Sequence, residues 1–220
     1  MCFSFKTSII SLTIGIISSI FALCTNQITL GFLIFFYSQM QIAEAMIWRG
    51  IDTNQKSLNR KGTSYAKYIL PTHNLAIGIG YIVALYYQKK EIQWEDFIPF
   101  LIGILFYFYI LLVYRFKKGK DLTFPRKKVP KSCQNPNNRL LWPFPQNWYI
   151  ISFMISLLLL FFLKTISKSS KILLYSFFTL SYVSSFLFSY VTIGSVFCFL
   201  TAILSPILVI TNYFIIQKND

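Results

Sequence analysis

A row of polar side chains lies at the end of the second long apolar stretch of the sequence. Its members are Tyr37, Gln41, Glu44 and Trp48. They follow one another at intervals of four, three and four residues, so a helix places them on one face. The stretch is long enough to cross a bilayer, where a carboxylate costs several kcal/mol unless it is paired, hydrated or protonated. This face is therefore expected to avoid lipid.

The third apolar stretch supplies a partner for this face. It starts from the side of the membrane on which the second stretch ends, and His73 lies roughly nine residues along it, at about 1.5 Å per residue. His73 and Asn74 are therefore expected at a depth similar to that of Gln41 and Glu44, with His73 and Glu44 within hydrogen-bonding reach.

The last apolar stretch begins on the same side and carries two more candidates, three residues apart on one helix face. We therefore expect one polar pocket between the second, third and seventh spans, opening toward the cytoplasm. Its residues are Gln41, Glu44, Trp48, His73, Asn74, Ser195 and Cys198.

Three kinds of role fit such a cluster. A carboxylate and an imidazole in a low-dielectric site share protons, as a relay does, and the same groups would bind a ligand or an ion. Catalysis needs a nucleophile, but Ser195 lacks the G-x-S-x-G turn, and Cys198 between two phenylalanines is most simply a small buried hydrophobe. Alternatively, Glu44 and His73 satisfy each other and only hold helices together. The sequence leaves these alternatives open.

No metal and no cofactor is expected. His73 is the only histidine, and the four cysteines show no Cys-x-x-Cys spacing, so a zinc site of the usual kind cannot be assembled. The single histidine also argues against the seven-helix zinc hydrolases of the ceramidase and progestin-receptor-like kind. The last span has no lysine for a retinal Schiff base, and the chain has no P-loop or Gly-rich dinucleotide turn.

The elements that must position these residues are membrane-spanning helices. Hydrophobic residues make up 55% of the 220-residue chain, and the mean hydropathy of +0.56 is well above that of a soluble globular protein. They fall in blocks of about 17 to 25 residues, the length that a helix needs to cross the hydrocarbon. The predicted fold is all-α, a polytopic transmembrane bundle of about seven helices in a single domain, residues 1–220. The spans are about 7–24, 28–48, 64–87, 97–114, 147–163, 172–188 and 193–216.

Polar and proline residues between and within the blocks set their shape and number. Pro71 lies inside the third span, removes a backbone donor, and predicts a kink there. A polar loop is expected over residues 49–62. The last two blocks are separated only by Ser189, Tyr190 and Thr192, so six or eight spans are alternatives to seven.

The distribution of charge predicts the orientation. Residues 115–146 form one long loop with nine Lys and Arg against the single acid Asp121. Of the 21 Lys and Arg in the chain, 15 lie on the side of the N-terminus and 6 on the other side. The positive-inside rule therefore predicts a cytoplasmic N-terminus and long loop, with the C-terminus across the membrane.

The net charge of +14 points to a lipid partner. In a soluble protein such a charge would suggest nucleic acid, but here the basic residues lie almost entirely between the apolar blocks. The expected partner is therefore a bilayer with anionic headgroups, and no nucleic acid. The sequence leaves open whether copies of the chain form a homo-oligomer.

Short motifs give a resemblance to known sequences. The chain opens with Met1-Cys2-Phe3-Ser4 and continues with Gln41-x-x-Glu44-x-x-x-Trp48, Leu140-Leu141-Trp142 and Gly194-Ser195-x-x-Cys198. These motifs resemble uncharacterised families of multi-pass membrane proteins from bacteria and large DNA viruses. Phe197 stands before the last cysteine, where these families often have Trp. The resemblance implies a multi-pass membrane fold and carries no activity.

The predicted function is that of an integral membrane protein handling a small molecule, a lipid or an ion through the polar pocket. An intramembrane enzyme acting on a lipid-like substrate is the alternative, and a structural or assembly component is the third.

Overall fold

The fold is given by a computed structural model, which describes residues 4–116, 124–125, 140–141, 147–188 and 193–219. Helices account for nearly all of these residues, so the predicted all-α class is confirmed for the part of the chain that the structure describes. The nine α-helices found there are α1 (Phe5–Cys24), α2 (Ile28–Asp52), α3 (Lys56–Ile69), α4 (Thr72–Tyr87), α5 (Ile98–Phe116), α6 (Asn147–Phe161), α7 (Lys168–Phe188), α8 (Ile193–Ile203) and α9 (Ser205–Asn219).

Three smaller elements complete the description. A 3-10 helix, Trp94–Phe97, leads directly into α5. Two strands of two residues each, β1 (Phe124–Pro125) and β2 (Leu140–Leu141), pair antiparallel with Phe124 opposite Leu141. Most of the predicted basic loop 115–146 lies outside the described residues.

Several helices are long and apolar enough to cross a membrane. Within the described ranges these are α1, α2 and the segment Trp94–Leu112. Two further pairs, α3 with α4 and α8 with α9, pass the same test when each bent pair is taken as one span. Length and composition therefore support three to five spans here, fewer than the seven predicted.

Both bent pairs break next to a proline. α3 ends before Pro71, and the axes of α3 and α4 differ by 49°, which confirms the predicted kink. The second break, also 49°, precedes Pro206 in the first turn of α9. Proline lacks the amide hydrogen and clashes with the preceding turn, so the regular helix ends there.

The polar loop predicted over residues 49–62 is wrong. α2 continues to Asp52, α3 begins at Lys56, and only three residues connect them. Asn54 allows this tight turn because it adopts the left-handed conformation, at φ 54°. The polar sequence of α3 suits a helix with one buried side, since Asn59, Gly62, Thr63 and Ala66 are its buried residues.

α2 is the central helix and packs against α1, α3, α4 and α8. In its most apolar 18-residue window 72% of the residues are buried, compared with 33% in α1 and 28% in the Trp94–Leu112 segment. α1 and α5 therefore keep broad exposed apolar faces. α2 can carry polar groups because protein surrounds it on most sides.

Glycines fix the position of α4, the helix that carries His73 and Asn74. A Cβ at Gly78 would lie 2.5 Å from the Cα of Phe100, and one at Gly103 would lie 2.8 Å from the Cα of Leu75. Only glycine fits at such backbone approaches, which small residues permit between membrane helices. α4 and α5 consequently pack at close range.

Candidate functional site

The polar face of α2 is buried, as expected for a face that avoids lipid. Gln41 and Glu44 are completely inaccessible, and Tyr37 and Trp48 are 5% exposed. The face is covered because α4 and α8 both pack on α2. We call Gln41, Glu44 and Trp48, together with Cys198 near Glu44, the α2 polar cluster.

α8 closes this cluster from one side. Cys198 is buried, and its thiol lies near the Glu44 carboxylate. Val196 packs with Trp48 and Ile47 in one apolar group. The predicted approach of the last span to α2 is therefore formed through Cys198, while the side chain of Ser195 lies outside the described part of the chain.

His73 does not meet Glu44. Its ring lies on that of Tyr37, with centroids 4.2 Å apart and planes inclined by 32°, and it donates a hydrogen bond to the backbone carbonyl of Phe36. The predicted hydrogen bond between Glu44 and His73 is therefore not formed. His73 lies about two helical turns farther along α2.

The length of α3 explains this difference. The sequence places His73 roughly nine residues into its span, whereas α3 already begins at Lys56. His73 comes seventeen positions after Lys56, which in a straight helix corresponds to a rise of about 25 Å along the axis. The bend at Pro71 shortens this distance. His73 consequently reaches the level of Tyr37 instead of that of Glu44.

Asn74 belongs to a network of satisfied hydrogen bonds, which we call the Asn74 network. Its Nδ2 donates to Ser152 Oγ at 3.1 Å, and Ser156 Oγ donates to its Oδ1. Ser156 also shares a hydrogen bond with Tyr37. The network links α2, α4 and α6. Two serines four residues apart in an apolar span were the signal that would have predicted it.

Several buried polar atoms of the α2 polar cluster and of His73 have no hydrogen-bond partner among the described residues. They are both amide atoms of Gln41, the indole Nε1 of Trp48 and the Nε2 of His73. Buried polar groups in folded proteins are nearly always hydrogen-bonded to protein, water or a ligand. These atoms therefore mark a place that a water molecule, a ligand or a part of the chain outside the described residues must complete.

A second polar network lies where α4 ends and α5 begins, and we call it the Asp96 network. The Asp96 carboxylate accepts hydrogen bonds from Tyr81 Oη at 2.7 Å and from the backbone N–H of Gln93 at 3.0 Å. Lys164 Nζ lies 3.1 Å from the same carboxylate and also donates to Gln93 Oε1. Gln93 and Asp96 form a capping box, and their spacing of three residues in the sequence is the signal for it.

The fold and the site define a class: an all-helical protein with several helices of membrane-spanning length and a buried polar cluster on its central helix. No protein-family model, characterised protein or solved structure matches this chain. The resemblance carried by Gln41-x-x-Glu44-x-x-x-Trp48 stays a prediction. Function is accordingly inferred from the geometry of the chain itself.

Proposed function

We propose that this chain is an integral membrane protein that crosses the bilayer seven times and handles an ion, a small molecule or a lipid at the α2 polar cluster. The crossings would be α1, α2, α3 with α4, the 3-10 helix with α5, α6, α7, and α8 with α9. Residues from the α1–α2 turn, the end of α4, the α6–α7 loop and the end of α9 line a single pocket. Seven alternating crossings require that these ends meet on one side.

The charge distribution supports a cytoplasmic N-terminus, because 15 of the 21 Lys and Arg lie on that side. In this orientation α2 runs toward the cytoplasm, and Glu44 lies two turns from its end at Asp52. The cluster would therefore open to the cytoplasmic half of the membrane. A reporter fused to the C-terminus is expected on the opposite side.

The observation that carries the functional proposal is the set of buried polar atoms without partners on Gln41, Trp48 and His73. A purely structural cluster would satisfy its own hydrogen bonds, since each unsatisfied buried group costs about 1 to 3 kcal/mol. Sites that bind or pass a solute retain such groups because the solute completes them. The cluster therefore supports binding more than packing.

A proton is the first ion to test. The Glu44 carboxylate is completely buried in a proposed span, and acidic side chains at membrane depth are typical of proton relays. Gln41 lies one turn away with an amide that both donates and accepts. A relay through water needs groups of this kind.

The test is proton flux into liposomes containing the purified full-length chain, driven by a potassium diffusion potential and read with an enclosed pH-sensitive dye. We expect the wild-type chain to conduct above protein-free liposomes, and Glu44→Gln and Gln41→Leu to fall to that background. Wild-type liposomes that match the background would exclude proton handling.

Gln39 provides the matched control. It lies two residues from Gln41 on α2, but its Oε1 accepts from Tyr65 Oη at 3.1 Å and its Nε2 donates to the Phe35 carbonyl. Gln39→Leu removes the same amide from the same helix without touching the cluster, so it is expected to keep the flux. Equal losses in Gln39→Leu and Gln41→Leu would show that helix integrity alone matters.

A structural or assembly role is the second candidate, and the Asn74 network favours it. Hydrogen bonds between Asn74 and two serines join α4 to α6, and both polar atoms of the Asn74 side chain have a partner. Retention of every phenotype in Glu44→Gln, with unchanged abundance, would extend this packing role to the α2 polar cluster.

A further inference from the structure

A pocket of about 500 Å³ lies at the end of the bundle opposite the α2 polar cluster. It is bounded by the α1–α2 turn, the end of α4, the α6–α7 loop and the last turns of α9. We call it the terminal pocket. From Gln27 in its wall to Glu44 is about 25 Å along α2, so the two sites are separate.

Two polar atoms of the residues that line this pocket have no partner in the described part of the chain. Asn212 is 5% exposed, and its Nδ2 donates to Gln27 Oε1 at 2.7 Å, which leaves its Oδ1 unpartnered. The hydroxyl of Thr165 is likewise buried and unpartnered. An amide oxygen accepts only, so a ligand that completes Asn212 must donate, as a hydroxyl group does.

The charge and the apolar surface of the terminal pocket restrict the ligand further. Lys90 is the only charged residue among the described residues that line it, and an ammonium group attracts an anion such as phosphate. The wall also contains Ile166 and Ile216, which are partly exposed, and Tyr87, which is exposed. The pocket therefore presents one cation, hydrogen-bonding groups and an apolar surface to the same ligand.

We propose that the terminal pocket binds a phosphate-bearing polyol, the chemistry of the headgroup of an anionic phospholipid such as phosphatidylglycerol. The phosphate would pair with Lys90, and the hydroxyl groups would bond to Asn212 and Thr165. The apolar wall accommodates the start of the acyl chains. This inference shares the membrane placement of the proposed function and is independent of any activity at the α2 polar cluster.

The experiment measures the thermal unfolding midpoint of the purified full-length chain in a nonionic detergent against the mole fraction of added lipid. Dioleoyl-phosphatidylglycerol is expected to raise the midpoint, whereas dioleoyl-phosphatidylcholine is not. Glycerol 3-phosphate forms a third arm: stabilisation by it identifies a soluble ligand of the same chemistry, and its failure where the lipid succeeds identifies the lipid. Stabilisation by neither phosphate compound would overturn the proposal.

Lys89 and Lys90 form a matched pair of variants, because both are exposed and only Lys90 lines the terminal pocket. Lys90→Gln is expected to raise the half-saturating mole fraction about fivefold to tenfold, and Lys89→Gln to leave it unchanged. Equal shifts in both would indicate attraction by surface charge alone and would contradict a specific site.

Thr165→Val tests the hydrogen-bonding part. The hydroxyl has no partner among the described residues, so the variant should fold normally in the absence of lipid. Its half-saturating mole fraction should rise about threefold to tenfold, the effect of one lost hydrogen bond. An unchanged lipid response would remove Thr165 from the site. Gln41→Leu should keep the full lipid response, which separates failure here from failure of the proposed ion handling.

Discussion

The carboxylate of Asp96 is surrounded by polar groups that contact it directly. Tyr81 Oη lies 2.7 Å from it and Lys164 Nζ lies 3.1 Å from it. Around Gln41, in the other half of the bundle, both atoms of a completely buried amide find no partner among the described residues. Both regions contain a buried acid, but among the described residues the groups around Asp96 have partners whereas the amide of Gln41 has none.

The difference separates two uses of buried polarity. Partners that satisfy one another stabilise the connection between helices, because breaking the set leaves several groups desolvated and unpaired. Groups without partners reduce stability, and a chain that retains them gains something other than stability. The two regions should therefore respond to substitution with opposite signs.

The largest effect is expected at Asp96. Asp96→Ala leaves Tyr81 Oη and the backbone N–H of Gln93 without their acceptor. It should lower the free energy of unfolding by about 3 kcal/mol. Helicity followed by circular dichroism during unfolding in mixed micelles measures this loss. Asp96→Asn keeps one carbonyl acceptor and should cost less. A loss of unfolding free energy smaller than that of Lys164→Gln would place the network outside the stable core.

The next effect is expected at Asn74, which bonds to both Ser152 and Ser156. Asn74→Ala should cost about 2 kcal/mol, because two serine hydroxyls in the bundle interior lose a partner. The same denaturation in mixed micelles measures it. Ser152→Ala removes only one of the two bonds and serves as the milder comparison. If Asn74→Ala were as stable as the wild type, the hydrogen-bonded Asn74 network would contribute no more to stability than the unpartnered amide of Gln41.

A smaller effect of opposite sign is expected at Gln41. Gln41→Leu replaces an unpartnered buried amide by an apolar side chain of similar size, and should raise the unfolding free energy by about 1 kcal/mol. Gln39→Leu breaks existing hydrogen bonds and should lower it by about the same amount. Destabilisation by both would mean that Gln41 is satisfied within the protein.

The smallest effect is expected at Lys164. Its side chain is 56% exposed whereas that of Asp96 is 2% exposed, so solvent screens the pair. Lys164→Gln should cost no more than about 0.5 kcal/mol. A double-mutant cycle with Asp96→Asn isolates the pair, and a coupling above about 1 kcal/mol would show that it is shielded from solvent.

Burial could be predicted from the sequence with more success than contacts could. Gln41, Glu44 and Trp48 lie in an apolar stretch at helical spacing, and all three are buried. The break at Pro71 also followed from the residue type, since proline cannot complete the helix. The contacts of His73 could not be predicted from the sequence. A polar side chain in a span must be buried away from lipid, but this requirement does not determine which residue it contacts.

The sequence by itself determined that the chain forms apolar helices, that one face of α2 is buried, and that a proline bends the third span. Only the tertiary structure decided that His73 lies on Tyr37, that Asn74 bonds to two serines of α6, and that Asp96 meets Lys164. Hydropathy and helical period act along one chain segment, whereas these contacts depend on the axial offset between helices. That offset is set by the start of α3 at Lys56 and by the close approach of α4 to α5 at Gly78.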